Sequence, residues 1–465
     1  MAIAFDPASF RDRHARVFRR DGRILRALSA LGLRDWELLK ASTFFQRHVD
    51  AGTLVRTRRA QDEAALLSEL GAGWAAVVEH DAVPFISYPY EWTFGMLRAA
   101  ALLHLELLGD ALEEGLVLKD ATAYNVQFVG TRPVFIDTAS FTRLQPGEVW
   151  HGYRQFCQTF VYPLMLQAYK DVPYQPWLRG SLEGISARDM YAVLSVRDLV
   201  RPGVLPHVIL HAKAQARFED TSADVRTALK RAGFNRALIQ SNVARLRRVI
   251  EQLEWTGRGS PWAGYAETHS YSDKDVEQKA AFVDSATRAS APRWVWDLGA
   301  NTGRFARVAA DHADHVLALD VDGPAVERMY RDLQSGPTNI LPLVGSLTDP
   351  SPGVGWRNEE RLPMLRRGKP DLTLCLALVH HVVIGAHIPL PDFVDWLSTL
   401  GADVVIEFVT KQDAMVRRLL ANKDDHYTDY DQAAFEARLD RYFRILARLS
   451  IHEGTRVLYH GVRES

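Results

Sequence analysis

The sequence predicts an α/β protein: a Rossmann-type domain at the C-terminal end, preceded by an α+β domain and a helical connector. Three observations predict it. From Trp294 onward, β-rich runs alternate with helical runs, the pattern of a parallel sheet covered on both faces. The first of those runs ends in Asp297-Leu298-Gly299-Ala300-Asn301-Thr302-Gly303, where glycines permit a tight strand-to-helix turn. The length, 465 residues, exceeds one ordinary core, so more than one domain is expected. The boundaries are read as 1–220, 221–256 and 257–465.

In the first region, RVFRRDGRILRAL reads as a hairpin about Asp21-Gly22, a favoured turn pair. AAVVEH and PFISYPYEW flank Asp81 and read the same way. Residues 96–115 carry helical apolar spacing and end at Gly115. LVLKD, YNVQFV and PVFID follow as short strands. The aromatic run 150–169 has helical spacing and reads as core. TALKRAG and NVARLRRVIEQLEW form the connector, with Arg245, Arg247 and Arg248 on a solvated face, and residues 257–264 are the linker.

In the third region, strands are expected at WVWDL, HVLALD, NILPLV, DLTLC and ADVVIEFV. Helices are expected at TGRFARVAADHA, PAVERMYRDL and LPDFVDWLSTLG. YFRILARLSI and RVLYHGVRE follow one another as strands, which implies an antiparallel edge hairpin.

The glycine loop selects among nucleotide ligands. Asp320 ends the second strand, 23 residues after Asp297, where an acid binds a ribose hydroxyl pair. A dinucleotide calls for G-x-G-x-x-G at a helix N-terminus that receives pyrophosphate. No G-x-G triplet stands here, and Asp297 would repel pyrophosphate. The same acid suits the cationic aminoacyl end of S-adenosylmethionine. Asp297, Gly299, Asn301, Gly303 and Asp320 are therefore the expected cofactor contacts. Ser346 and Leu347 after the third strand, and Ala377 after the fourth, complete the cofactor set.

His380 and His381 are expected at the rim, because ligands sit beyond the carboxyl ends of the strands. Either one is a general base or substrate contact, or the pair holds the loop and lines the pocket. No metal is expected from an adjacent pair without further ligands. Glu407, with Lys411 and Asp413, faces the same crevice by topology, and either binds substrate or forms a local ion pair.

The motifs DLGANTGRF, LALVHH and IEFVTKQD together resemble class I methyltransferases, and specifically a bacterial nodulation-protein-type group, over roughly residue 262 to the C-terminus. The resemblance implies S-adenosylmethionine contacts at the loop and at Asp320. It also implies a segment closing over the cofactor, with Tyr265, His269 and Tyr271 as pocket residues. Gly345-Ser346 departs from the group, because no acid follows the third strand to bind the adenine amine.

The first region holds a second pattern. Asp120 and Asn125 stand five apart, and Asp137 lies twelve further on. This is the order of a kinase-like loop, in which one Asp orients a hydroxyl while the Asn and second Asp hold Mg²⁺. Much of that pattern is absent: Leu118-Lys119 replace His-Arg, Thr138-Ala139 follow Asp137, and no glycine-rich phosphate loop stands upstream. The region thus resembles a degenerate kinase-like domain. In the alternative reading, Asp120 and Asp137 cap turns.

Composition bounds the partners. Lys and Arg number 56 against 57 Asp and Glu, a net charge of −1, so nothing global favours a nucleic acid. No run approaches ~18 uninterrupted apolar residues, so no membrane span is expected. With two distant cysteines, Cys157 and Cys375, and no apolar leader, a reduced cytoplasmic protein is expected. The expected function is methyl transfer to a small-molecule or glycan O- or N-acceptor, chosen by the N-terminal domain. The alternatives are a bifunctional kinase–methyltransferase using ATP and Mg²⁺, and a non-catalytic S-adenosylmethionine-binding scaffold. The oligomeric state is not specified by the sequence.

Overall fold

The computed structural model describes residues 3–212, 235–257, 273–336, 338–421 and 425–464. Residues 221–234 of the expected connector, together with Tyr265, His269 and Tyr271, lie outside them. The chain forms two compact units. Unit 1 comprises Met1–Thr256 and Gly353–Leu362, and unit 2 comprises Gly257–Pro352 and Pro363–Ser465.

Unit 1 begins with an antiparallel four-stranded sheet of order β1-β2-β4-β3: β1 Ala15–Arg20, β2 Arg23–Leu28, β3 Thr57–Arg59 and β4 Ala76–His80. Asp21 and Gly22 both take positive φ, 49° and 76°, the turn whose twist matches paired strands. The expected strand over PFISYPYEW does not form. After β4 the chain runs without ladder partners into a short helical turn at Pro89–Glu91. Two prolines, Pro84 and Pro89, remove backbone donors that a strand needs.

The helix Phe94–Glu113 starts where Thr93 accepts from the Met96 N–H, and its apolar positions are buried. Four short strands follow in two pairs: β5 Leu116–Leu118 with β8 Phe141–Arg143, and β6 Val126–Val129 with β7 Arg132–Phe135. The helix Arg236–Gln252, read as connector, belongs to unit 1. It buries Ile239, Val243, Leu246, Val249 and Ile250 along one stripe, and Arg98 Nε donates to Ile250 O at 3.1 Å.

Unit 2 is a seven-stranded sheet: β9 Trp294–Leu298, β10 His315–Asp320, β11 Ile340–Val344, β12 Leu372–Cys375, β13 Asp403–Val409, β14 Phe443–Ile451 and β15 Arg456–Arg463. Its order is β11-β10-β9-β12-β13-β15-β14. The first five are parallel, and β15 enters antiparallel between β13 and β14. Continuous apolar runs become the central strands because both faces are covered, and β12 is buried along its whole length. Half-exposed β14 takes the edge. The strand order reverses beside β9, so β9 and its neighbour β12 open a crevice at their carboxyl ends.

Candidate functional site

The loop after β9 is built by backbone. The Gly299 and Ala300 N–H groups donate to Leu319 O at 2.9 and 3.0 Å, tying the turn to β10. Gly299, Asn301 and Gly303 adopt φ of 81°, 50° and 77°. A Cβ on Gly303 would strike the Met329 side chain, so glycine is required there for space as well as for φ. Asp320 accepts from Asn301 N–H at 2.7 Å and from Asp322 N–H at 2.8 Å. Burial pushes its carboxyl above the ordinary range, against those two hydrogen bonds.

These elements bound a cavity of about 440 Å³. Asp297, Gly299, Asn301, Asp320, Ser346, Leu347 and Ala377 all line it. Gly303 stands behind the wall and caps the helix Arg304–Ala310. Sequence reasoning missed Val276, Lys279, Phe305 and Val382, which also line the cavity. Val276 and Lys279 come from the helix Asp273–Ser290, which precedes the first strand and carries no motif.

Asp297 is 2% exposed, and its Oδ2 has no hydrogen-bond partner among the described residues. Burial, reinforced by the charge of Asp320, raises its carboxyl to about 7. A buried, unpartnered carboxylate oxygen on a cavity wall fits a cationic ligand group and would be costly without one.

Glu407 does not face the crevice. It is fully buried, binds Lys279 Nζ at 2.5 Å, and accepts the Ala377 N–H at 2.8 Å. Arg456 Nη1 stands 3.5 Å from its other oxygen, and Arg456 Nε pairs with Asp413 at 2.7 Å. Lys411 pairs with Asp425 at 2.8 Å. The ion-pair alternative is thus the arrangement found. Glu407 instead fixes the backbone at Ala377, whose φ is 50°. Burial pulls the Lys279 ammonium below its usual value, against the attraction of Glu407.

The two histidines separate. His381 lines the cavity, whereas His380 is fully buried, off the wall, with neither ring nitrogen partnered among the described residues. Their ring centroids are 4.2 Å apart. Burial, then His381, holds His380 well below its usual value; burial and Arg456 bring His381 to about 4. Both rings are neutral at pH 7, so His381 presents a hydrogen-bonding imidazole to the cavity rather than a base tuned to neutrality.

In unit 1, Asp137 is closed. Arg26 Nη1 donates to its Oδ1 at 2.5 Å and Ser140 Oγ to its Oδ2 at 2.6 Å. Asn125 Nδ2 donates to Ser140 Oγ at 3.3 Å. Asp120 accepts no hydrogen bond from the described residues, and burial with Asp137's charge raises its carboxyl. Among the described residues, His48, Glu106 and Asp110 form a cluster with metal-ligand spacing; its His48 Nε2 is already on Asp110 at 2.7 Å. No described helix is long and apolar enough to cross a membrane.

A seven-stranded sheet with one antiparallel strand inserted beside its edge, a glycine turn after the first strand and an acid after the second are the architecture of the class I methyltransferase fold. The chain is 36% identical over 455 residues to the nodulation protein NoeA of Rhizobium meliloti (strain 1021), covering 97% of this chain and 94% of that one. It belongs to the NoeA family. No family model matches it. Among solved structures, it is similar to the N-methyltransferase NodS from Bradyrhizobium japonicum WM9, with 14% identity, 41% of this chain, 97% of that chain and a TM-score of 0.30. It is also similar to the magnesium protoporphyrin IX methyltransferase ChlM from Synechocystis PCC 6803, with 18% identity, 41% of this chain, 84% of that chain and a TM-score of 0.29.

Proposed function

We propose that unit 2 moves the methyl group of S-adenosylmethionine to an oxygen or nitrogen of a small-molecule or glycan acceptor, and that unit 1 selects the acceptor. The observation that carries this is the unpartnered Oδ2 of Asp297 on the wall of a cavity that also exposes Asp320. Asp297 would hold the ligand's ammonium, and Asp320 its ribose hydroxyls. The cofactor supplies an electrophilic methyl group. The protein's part is alignment: Glu407 fixes the Ala377 turn, and the neutral His381 ring orients the acceptor through a hydrogen bond.

Methyl-labelled S-adenosylmethionine, incubated with the protein and fractionated small-molecule and glycan extracts, tests this reading. Label is expected in a low-mass or glycan fraction, and Asp120→Asn should raise the acceptor KM without altering cofactor affinity. Labelling only of protein or nucleic acid would refute the acceptor class. Cofactor binding without any transfer would favour the scaffold reading.

A further inference from the structure

The second acidic pattern of the sequence, in unit 1, is built in a way that opposes metal binding. A kinase-like site requires Asn125 and Asp137 to offer free oxygens to Mg²⁺. Here both Asp137 oxygens already accept hydrogen bonds, one from a guanidinium, and Asn125 turns its amide nitrogen toward the same Ser140. Arg26 is not a mobile surface side chain. It projects from the middle of β2, between β1 and β4, and is 8% exposed. The neighbourhood is closed to further positive charge: His80 on β4, bound to Thr57 at 2.8 Å, is kept neutral by burial and by Arg26, at about 3. The Mg²⁺ that the Asp120–Asn125–Asp137 spacing implies therefore does not fit the residues present.

We propose that the Arg26 guanidinium is a built-in substitute for that divalent cation, fixing Asp137 and the adjoining Ser140 turn to the sheet, so that unit 1 neither holds a metal at this place nor transfers phosphate. The positive charge that a kinase borrows from solution is here part of the chain. It is always present, and it is directional: a planar donor makes a defined bond to a carboxylate, whereas a metal would gather oxygens on all sides. Asp120, which accepts no hydrogen bond from the described residues, keeps an acceptor oxygen for a hydroxyl-bearing ligand with no nucleotide beside it.

Mn²⁺ titration, followed by the loss of the free-ion electron paramagnetic resonance signal, tests the assignment on the full chain. Wild type should show no Mn²⁺ binding that Asp137→Asn removes; any signal loss common to both belongs elsewhere, for instance to His48, Glu106 and Asp110. Arg26→Gln, confirmed as folded by circular dichroism, should gain Mn²⁺ affinity by about tenfold or more, and lose the gain when combined with Asp137→Asn. Mn²⁺ binding by wild type that depends on Asp137 overturns the proposal. So does a folded Arg26→Gln protein that gains nothing. Should the Arg26 variant not fold, the wild-type comparison with Asp137→Asn decides alone.

Discussion

One aspartate in each unit, Asp137 part-buried and Asp297 buried, invites comparison, and the two differ in what surrounds them. Asp137 is closed: Arg26 and Ser140 take both oxygens and, against the upward push of burial, hold its carboxyl below the ordinary range. Asp297 is open: burial and Asp320 raise it to about 7, it lines a cavity, and its Oδ2 has no hydrogen-bond partner among the described residues. The first arrangement stabilises a fold. The second tolerates an electrostatic cost in the free protein that a cationic ligand relieves. A buried acid is thus evidence of a binding site when one of its oxygens is left without a hydrogen-bond partner beside a cavity.

The comparison breaks most readily at Asp137. Arg26→Ala leaves a part-buried carboxylate without its guanidinium, so unit 1 should lose about 2–4 kcal/mol in urea unfolding. A loss below about 1 kcal/mol would mean that the ion pair is not structural. Gly303→Ala probes the loop that frames Asp297. With φ of 77° and Met329 in the way, it should cost about 1–3 kcal/mol and weaken cofactor binding, whereas Gly22→Ala, whose added Cβ meets nothing, should leave binding unchanged.

A pH series sharpens the contrast. The native state holds the Asp297 proton more tightly than the unfolded chain does, so this group's contribution to stability falls as pH rises from the ordinary carboxylate range toward about 7. Ligand binding runs the other way. A proton must leave before an ammonium can pair, so affinity for S-adenosylmethionine should fall, by up to about tenfold per pH unit, as pH drops below about 7. Calorimetry across pH 5–9 reads this; a flat profile contradicts it. The smallest expected effect is at His381, where Ala should lower kcat by about 1 kcal/mol with cofactor affinity nearly unchanged. Because its ring is neutral down to about 4, kcat should show no acid limb between about pH 6 and 7 that Ala abolishes.

The strands of unit 2 were legible because each is an apolar run bounded by turn residues, and the cofactor loop because its glycines and acids sit at strand ends. Three things were not. Lys279 lies in a helix whose polar sequence gives no sign that one lysine turns inward to Glu407. Glu407 lies near the end of one crevice strand and His380 follows another, so topology pointed them at the ligand. Which face a strand-end side chain takes depends on packing, and both are buried off the cavity wall. In unit 1, spacing alone suggested a metal pair at Asn125 and Asp137. It could not show that Arg26, 111 residues upstream of Asp137, would supply the positive charge first.

The central claim is that Asp297 is held open for a cation. Titration of S-adenosylmethionine into wild type and Asp297→Asn, at about pH 8 where the acid is ionised, tests it most directly. The account predicts that Asn weakens binding by about 2–5 kcal/mol while the cofactor-free variant melts no lower than wild type, because a buried unpaired charge has been removed. Equal affinity of the two proteins, with the variant folded, would contradict it.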